Sequence, residues 1–235
     1  MRTETYEKYR PYLTADYMMG PSTIRLLDEL LNRYPLPGGR VMDLGCGTGL
    51  SSLYLAQETG SQVYAVDLWC SASDNYRRFC DWNVADSVVP IHANALDLPF
   101  ADGYFDEVVS VDAYHYFACD PEYFGKKLLP LVRPGGTILI VVPGLGEEFG
   151  ESVPAEILEW AGEDYKLFHS CDWWKMTLGE HADVAAMDIT ESACADEAWQ
   201  EWFASGHKYA VQDRAFFDKG IGKYLNFVSM MIRKK

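Results

Sequence analysis

Val41-Met42-Asp43-Leu44 runs directly into Gly45-Cys46-Gly47-Thr48-Gly49, and after a helix-length interval Val63-Tyr64-Ala65-Val66 stops at Asp67. An apolar run, a turn with three glycines and a second apolar run ending on an acid describe a β-α-β unit built to hold a nucleoside. A strand that turns sharply into a helix while its backbone approaches a ligand needs residues without a Cβ, and the three glycines supply them. Leu50 to Glu58 reads as the helix they open. Its free N–H groups and positive dipole end favour a carboxylate or phosphate above the turn. Asp67 stands where one acid accepts both hydroxyl hydrogens of a ribose.

The glycine spacing separates two cofactor classes. A dinucleotide turn has the pattern G-x-G-x-x-G, whereas here Gly45, Gly47 and Gly49 alternate behind Asp43. A pyrophosphate gains nothing from that carboxylate; an ammonium group does. The stretch resembles the first motif, (D/E)-x-G-x-G-x-G, of the class I S-adenosylmethionine-dependent methyltransferases. The resemblance continues in register. Asn94 to Phe100 is similar to the loop after the family's third strand, with Asn94 where an acid usually meets the adenine amino group; its amide oxygen still accepts. Tyr104 to Asp112 resembles the fourth strand, and Leu131 to Val141 the turn and fifth strand.

This resemblance implies an α/β fold: a doubly wound, Rossmann-like, seven-stranded sheet with a C-terminal antiparallel strand and helical cap segments. It implies S-adenosylmethionine as cofactor, S-adenosylhomocysteine as product and no metal. Asp43 and the glycine turn would hold the methionyl end, Asp67 the ribose, and Asn94 with Ala95 the adenine. Cys46, Leu50, Leu68, Leu96 and Asp112 complete the expected cofactor-binding set with Gly45, Gly47 and Gly49.

A chain of 235 residues that is 49% hydrophobic suffices for one substantial core, so a single domain is expected. Within it, residues 1–35 read as an N-terminal cap or lid, 38–143 as the cofactor-binding core, 145–180 as a substrate-side insert and 183–235 as the C-terminal strands. An amphipathic helix is predicted over Thr23 to Arg33, strands over Asp183 to Glu191 and Tyr224 to Arg233, and a helix over Ala195 to Phe203. No apolar stretch is long enough to span a bilayer, and the opening residues are too polar for a signal peptide, which predicts a cytoplasmic protein without a membrane partner. Six cysteines without a C-x-x-C pair argue against a zinc cluster or disulfide framework. A net charge of −15 repels phosphate backbones and disfavours a nucleic-acid substrate. Such a surface also attracts cations, although solubility alone accounts for it. A homodimer through the aromatic insert is left open.

Specificity is expected in loops beyond the carboxyl ends of the strands. Three segments qualify. After the fourth strand, His115 is the only side chain whose ordinary pKa suits a base at neutral pH, with Tyr114 and Tyr116 beside it; the plainer alternative is that His115 packs while a tyrosine lines the site. In the insert, His169 is a second acid–base candidate, and adjacent Trp173 and Trp174 cannot share one helix face, so one of them is expected to face a pocket, lid or neighbouring subunit. At the N-terminus, Tyr9, Tyr12, Met18 and Met19 either fold over the cofactor or pack the first helix. The expected reaction is direct displacement of the methyl group onto an O, N or S atom of a small molecule. Methylation of a protein or lipid, or non-catalytic binding of S-adenosylmethionine, are the alternatives.

Overall fold

The computed structural model describes Met1 and residues 3–235; of the predicted cap, only Arg2 lies outside the described residues. Seven strands form one sheet: β1 (Arg40–Leu44), β2 (Gln62–Asp67), β3 (Val88–His92), β4 (Phe105–Val111), β5 (Val132–Leu145), β6 (Val184–Glu191) and β7 (Leu225–Lys234). Their order is β3-β2-β1-β4-β5-β7-β6. The first five pair in parallel. β7 runs antiparallel to both β5 and β6. This is the Rossmann-like seven-stranded sheet expected from the sequence, with the predicted C-terminal strands at its edge.

The central strands are near-continuous apolar runs because both of their faces are covered. Alternate residues go to opposite sides. Val41, Val109, Val111, Leu139 and Val141 enter one core, packed beneath the helices α2 (Thr23–Arg33), α3 (Leu50–Thr59) and α8 (Ala195–Ala204). Met42, Leu44, Val108, Ile138, Ile140 and Val142 enter the other, where Tyr114 and Trp174 are fully buried. The first face also takes α1 (Thr3–Tyr9) through Tyr9 and α4 (Ala72–Asp81) through Phe79.

α2 has the predicted limits. Ser22 caps it by accepting from the Arg25 N–H at 3.3 Å, and Ile24, Leu26, Leu27 and Leu30 make its buried stripe. Several helices have no counterpart in the sequence reading, among them α1, α4 and α9 (Lys208–Phe217), the last of which buries only Ala210 and so carries almost no apolar periodicity. The insert contains α6 (Ala155–Ala161) and α7 (Cys171–Leu178), with α5 (Pro121–Tyr123) preceding β5 on the same side of the chain order. Among the described residues no helix is long and apolar enough to cross a membrane.

Candidate active site

Strand order reverses between β1 and β4, and the crevice at that point, outside the carboxyl ends of the strands, is where open α/β sheets bind ligands. A cavity of about 450 Å³ lies there. Its walls come from the ends of β1, β2, β3 and β4 and from the segment Tyr17–Pro21.

The glycine turn is built first from its backbone. Gly45 and Cys46 donate to the Val66 carbonyl at 2.8 and 3.1 Å, pinning the turn to β2. Gly45 has φ +79°, and a Cβ there would lie 2.2 Å from the Cβ of Ala113, so both conformation and space require glycine. Gly49 caps α3 from outside the cavity wall. Asp43 also stands behind the wall. Fully buried, it accepts at Oδ2 from the hydroxyls of Ser51 (2.7 Å) and Ser52, tying β1 to the first turn of α3. Burial pushes its carboxyl up to about 6 against those two hydrogen bonds. Its geometry therefore supports the turn, rather than facing a methionyl group across the cavity.

Asp67 is committed more heavily than the sequence suggests. Its Oδ2 accepts from the Gly47 N–H at 2.8 Å, and its Oδ1 from the N–H groups of Trp69 and Cys70 at 2.7 Å each. A carboxylate has about four acceptor positions, so room remains for one further strong donor such as a ribose hydroxyl. Asn94 Oδ1 accepts from the Leu96 N–H at 2.9 Å and shapes its own loop, while the Tyr123 hydroxyl holds the Ala95 carbonyl at 3.1 Å. The N-terminal segment roofs the cavity: the Thr48 hydroxyl donates to the Tyr17 carbonyl, and Met19 lies over Gly47, where a Cβ would come 2.8 Å from its sulfur. Tyr9 and Tyr12 stay in the core and take no part in this roof.

The predicted catalytic group divides. Tyr116 is exposed in the cavity wall, in edge contact with Trp69 at 5.1 Å between ring centroids. Tyr114 and His115 are turned into the protein and are absent from the wall. His115 is 1% exposed, its Nδ1 has no hydrogen-bond partner, and burial alone pushes its pKa down to about 3. A base that weak does not answer the expectation drawn from an ordinary imidazole. His169 is also outside the wall: its ring stacks on Trp173 at 3.5 Å, and its Nδ1 meets Glu148 at 3.2 Å. Trp174 is fully buried beside Tyr114. No described residue of the 145–180 insert lines the cavity.

Asp112, expected in the cofactor set, closes β4 in the left-handed conformation at φ +58°. It lines the cavity, and no hydrogen bond reaches its carboxylate among the described residues. Burial first, and the charge of Asp213 second, push that carboxyl up to about 7. Gly20 approaches so closely that a Cβ there would be 2.5 Å from Asp112 Oδ2. Gly20 and Trp69 are wall residues that the sequence reading missed. A tryptophan two positions after Asp67, at the carboxyl end of a strand, is the signal that was available for the second; nothing local marks the first.

Residues 42–140 match the family model described as Methyltransferase domain. The match covers less than half of the chain, and over it the chain is similar to the class I S-adenosylmethionine-dependent methyltransferases. Among its curated relatives, the probable chloroplastic tocopherol O-methyltransferase of Oryza sativa subsp. japonica is 33% identical over 125 residues, which are 50% of this chain and 34% of that protein. The chain spans about a third of the length of the first curated relatives it matches. Two solved structures share the fold. Haemonchus contortus phosphoethanolamine N-methyltransferase 2 has a TM-score of 0.74 at 18% identity, covering 100% of this chain and 60% of its own. Geranyl diphosphate C-methyltransferase from Streptomyces coelicolor A3(2) has a TM-score of 0.71 at 16% identity, covering 90% and 77%.

The residues present fit S-adenosylmethionine: Gly45 and Gly47 leave a cradle that a Cβ would fill, Asp67 retains an acceptor position, and Leu68 and Leu96 add apolar lining to the same cavity.

Proposed function

We propose that this chain transfers the methyl group of S-adenosylmethionine to an O, N or S atom of a small molecule. The observation that carries the reading is the order of groups along one cavity: the Asn94–Leu96 loop after β3, Asp67 at β2, the glycine turn at β1, then Asp112 and Tyr116 after β4. In this reading Asn94, Ala95, Leu96 and Leu68 hold the adenine, Asp67 the ribose, and Gly45, Cys46, Gly47 and Leu50 the methionyl end. Residues 1–35 act as the cap on the 38–143 core.

When bound, the cofactor supplies an electrophilic methyl group on a sulfonium. The chain's own residues then have three tasks. Tyr17, Met18 and Met19 exclude water, which helps because the sulfonium charge is lost during transfer. Tyr116 and Asp112 orient the acceptor, since in-line alignment is worth several powers of ten. Asp112, with a carboxyl near neutrality, takes a proton from a protonated acceptor. Burial of His115 removes it from that role and leaves it a support for the loop.

One observation favours a second reading, an acceptor carried by a lipid or protein. Met19, Leu68, Trp69, Leu96 and Tyr116 stand exposed around the mouth as an apolar rim.

The test is calorimetric binding of S-adenosylmethionine and S-adenosylhomocysteine to the wild type and to Asp67→Ala, with NAD as a control. Both cofactor forms are expected to bind, NAD is not, and the substitution weakens binding on the order of 100-fold through lost charged hydrogen bonds. Absence of binding by either form would overturn the proposal. Binding without methyl transfer to any small-molecule panel would indicate a non-catalytic binder.

A further inference from the structure

The strand order fixes which part of the cavity belongs to the acceptor. Stepping from β3 to β2 to β1 passes the adenine, ribose and methionyl ends of the proposed cofactor site, and the next step, onto β4, leads to Asp112, Ala113, Tyr116 and Phe117. Adjacent strands are about 4.8 Å apart, so these three steps span about 14 Å. The β4 side is where the cofactor's reactive end meets its partner.

The chemistry of that end is one-sided. Asp67 and Asp112 are the two carboxylates of the wall, and three backbone N–H groups already neutralise Asp67. Asp112 has no such donors. A carboxylate drawn out of water without a partner is costly, and its left-handed backbone adds strain. No lysine, arginine or histidine occurs among the described wall residues to compensate it. The surroundings reinforce the negative potential. Asp213, whose oxygens are held at 2.8 Å by the indole N–H groups of Trp160 and Trp202, bears on Asp112. Burial, together with the charges of Asp112 and Asp164, holds the Tyr116 phenol up at about 12. Four aromatic residues, Tyr17, Trp69, Tyr116 and Phe117, also line the cavity, Trp69 and Tyr116 in edge contact with each other.

We propose that the acceptor is an amine-bearing small molecule with an apolar body, bound as its ammonium ion with Asp112 as counter-ion and the Trp69–Tyr116 pair as its aromatic wall; Asp112 then takes one ammonium proton, which frees the nitrogen lone pair for methyl transfer. An unpaired carboxylate beside aromatic rings recognises a cation by ion pairing and cation–π attraction together. The same wall rejects acceptors that carry a phosphate or carboxylate, because it offers them repulsion and no donor charge. This inference rests on the methyl-transfer reading of the cavity and narrows it.

The test titrates the protein, saturated with S-adenosylhomocysteine, with benzyltrimethylammonium, 2-phenylethylamine, 2-phenylethanol and phenyl phosphate. Both cations are expected to bind about tenfold or more tightly than the alcohol, 2-phenylethylamine through a charged hydrogen bond and benzyltrimethylammonium through ion pairing and cation–π attraction, and the phosphate weakest of all. Asp112→Asn, which keeps shape and tolerates the left-handed backbone, should cut cation binding about tenfold while changing S-adenosylhomocysteine affinity by less than about threefold. Equal binding of alcohol and cations, preference for the phosphate, or no cation binding at millimolar concentration would each overturn the proposal on the wild type alone. Cation binding unchanged in Asp112→Asn would overturn it too. A loss of cofactor affinity in that variant as large as the loss for the cations would assign Asp112 to the cofactor's own ammonium group instead. Failure of S-adenosylhomocysteine to bind the wild type at all would fall on the methyl-transfer reading.

Discussion

At the glycine turn one methyl group decides whether the site forms. Gly45 combines a left-handed φ of +79° with a clearance of 2.2 Å between a would-be Cβ and Ala113, whereas Gly146 has open space and an ordinary φ. Gly45→Ala is therefore expected to destabilise the fold by about 3 kcal/mol, the sum of backbone strain and overpacking. Gly146→Ala should stay within about 0.5 kcal/mol. Chemical denaturation of the two variants side by side checks this, and equal effects would mean that the turn relaxes around the new methyl. The loop after β4 shows the same sensitivity to single positions. His115 and Tyr116 are neighbours in the chain, yet one is buried and the other lines the cavity. Sequence reasoning favours the imidazole as base on its ordinary pKa; desolvation cancels that advantage.

Among elements, those with strong periodic patterns were legible from the sequence. The strands of the core, α2 and the β6–β7 hairpin lie where apolar runs, alternation and caps put them. α9 was not legible because it buries a single alanine. The aromatic insert was legible as an element but not in its orientation. Its tryptophans do divide between two directions as adjacent helical residues must, but Trp174 goes to the core with Tyr114 and Trp173 goes to the ring of His169. Neither meets the cavity. Trp174→Ala is accordingly expected to cost about 3 to 5 kcal/mol of stability and to leave S-adenosylhomocysteine affinity within about twofold, measured at a temperature where the variant is folded. A large loss of cofactor affinity with little loss of stability would return the insert to the site.

For the molecule as a whole, the sheet holds carboxyls that resist ionisation. Asp43 is pushed up to about 6, and Glu107 and Asp112 to about 7, with burial the first cause in each. A raised carboxyl pKa means that the folded state holds its proton more tightly than the unfolded chain does. The associated stability is fully present below the unfolded pKa and is lost as pH rises through the folded one. Unfolding free energy is therefore expected to decline between about pH 4.5 and 7.5 through these groups. Glu107 gives the cleanest test, since it is buried in β4 away from the cavity and its Oε2 has no partner. Glu107→Gln should gain about 1 to 2 kcal/mol over the wild type at pH 7.5 and nothing at pH 4.5. Denaturant titrations at both pH values check the sign, and a gain confined to pH 4.5 would refute it.

The sequence by itself determined the sheet and the glycine turn, because these follow from short-range patterns: strand and helix periods, residues lacking a Cβ, and an acid at a strand end. Tertiary structure decided the chemistry of the acceptor end. Two of the N–H groups that satisfy Asp67 come from its own loop, but the third, from Gly47, and the space that Gly20 leaves to Asp112 depend on segments about 20 and about 90 residues apart in the chain coming together. Charge compensation and desolvation are properties of that assembled surrounding, and no local pattern carries them.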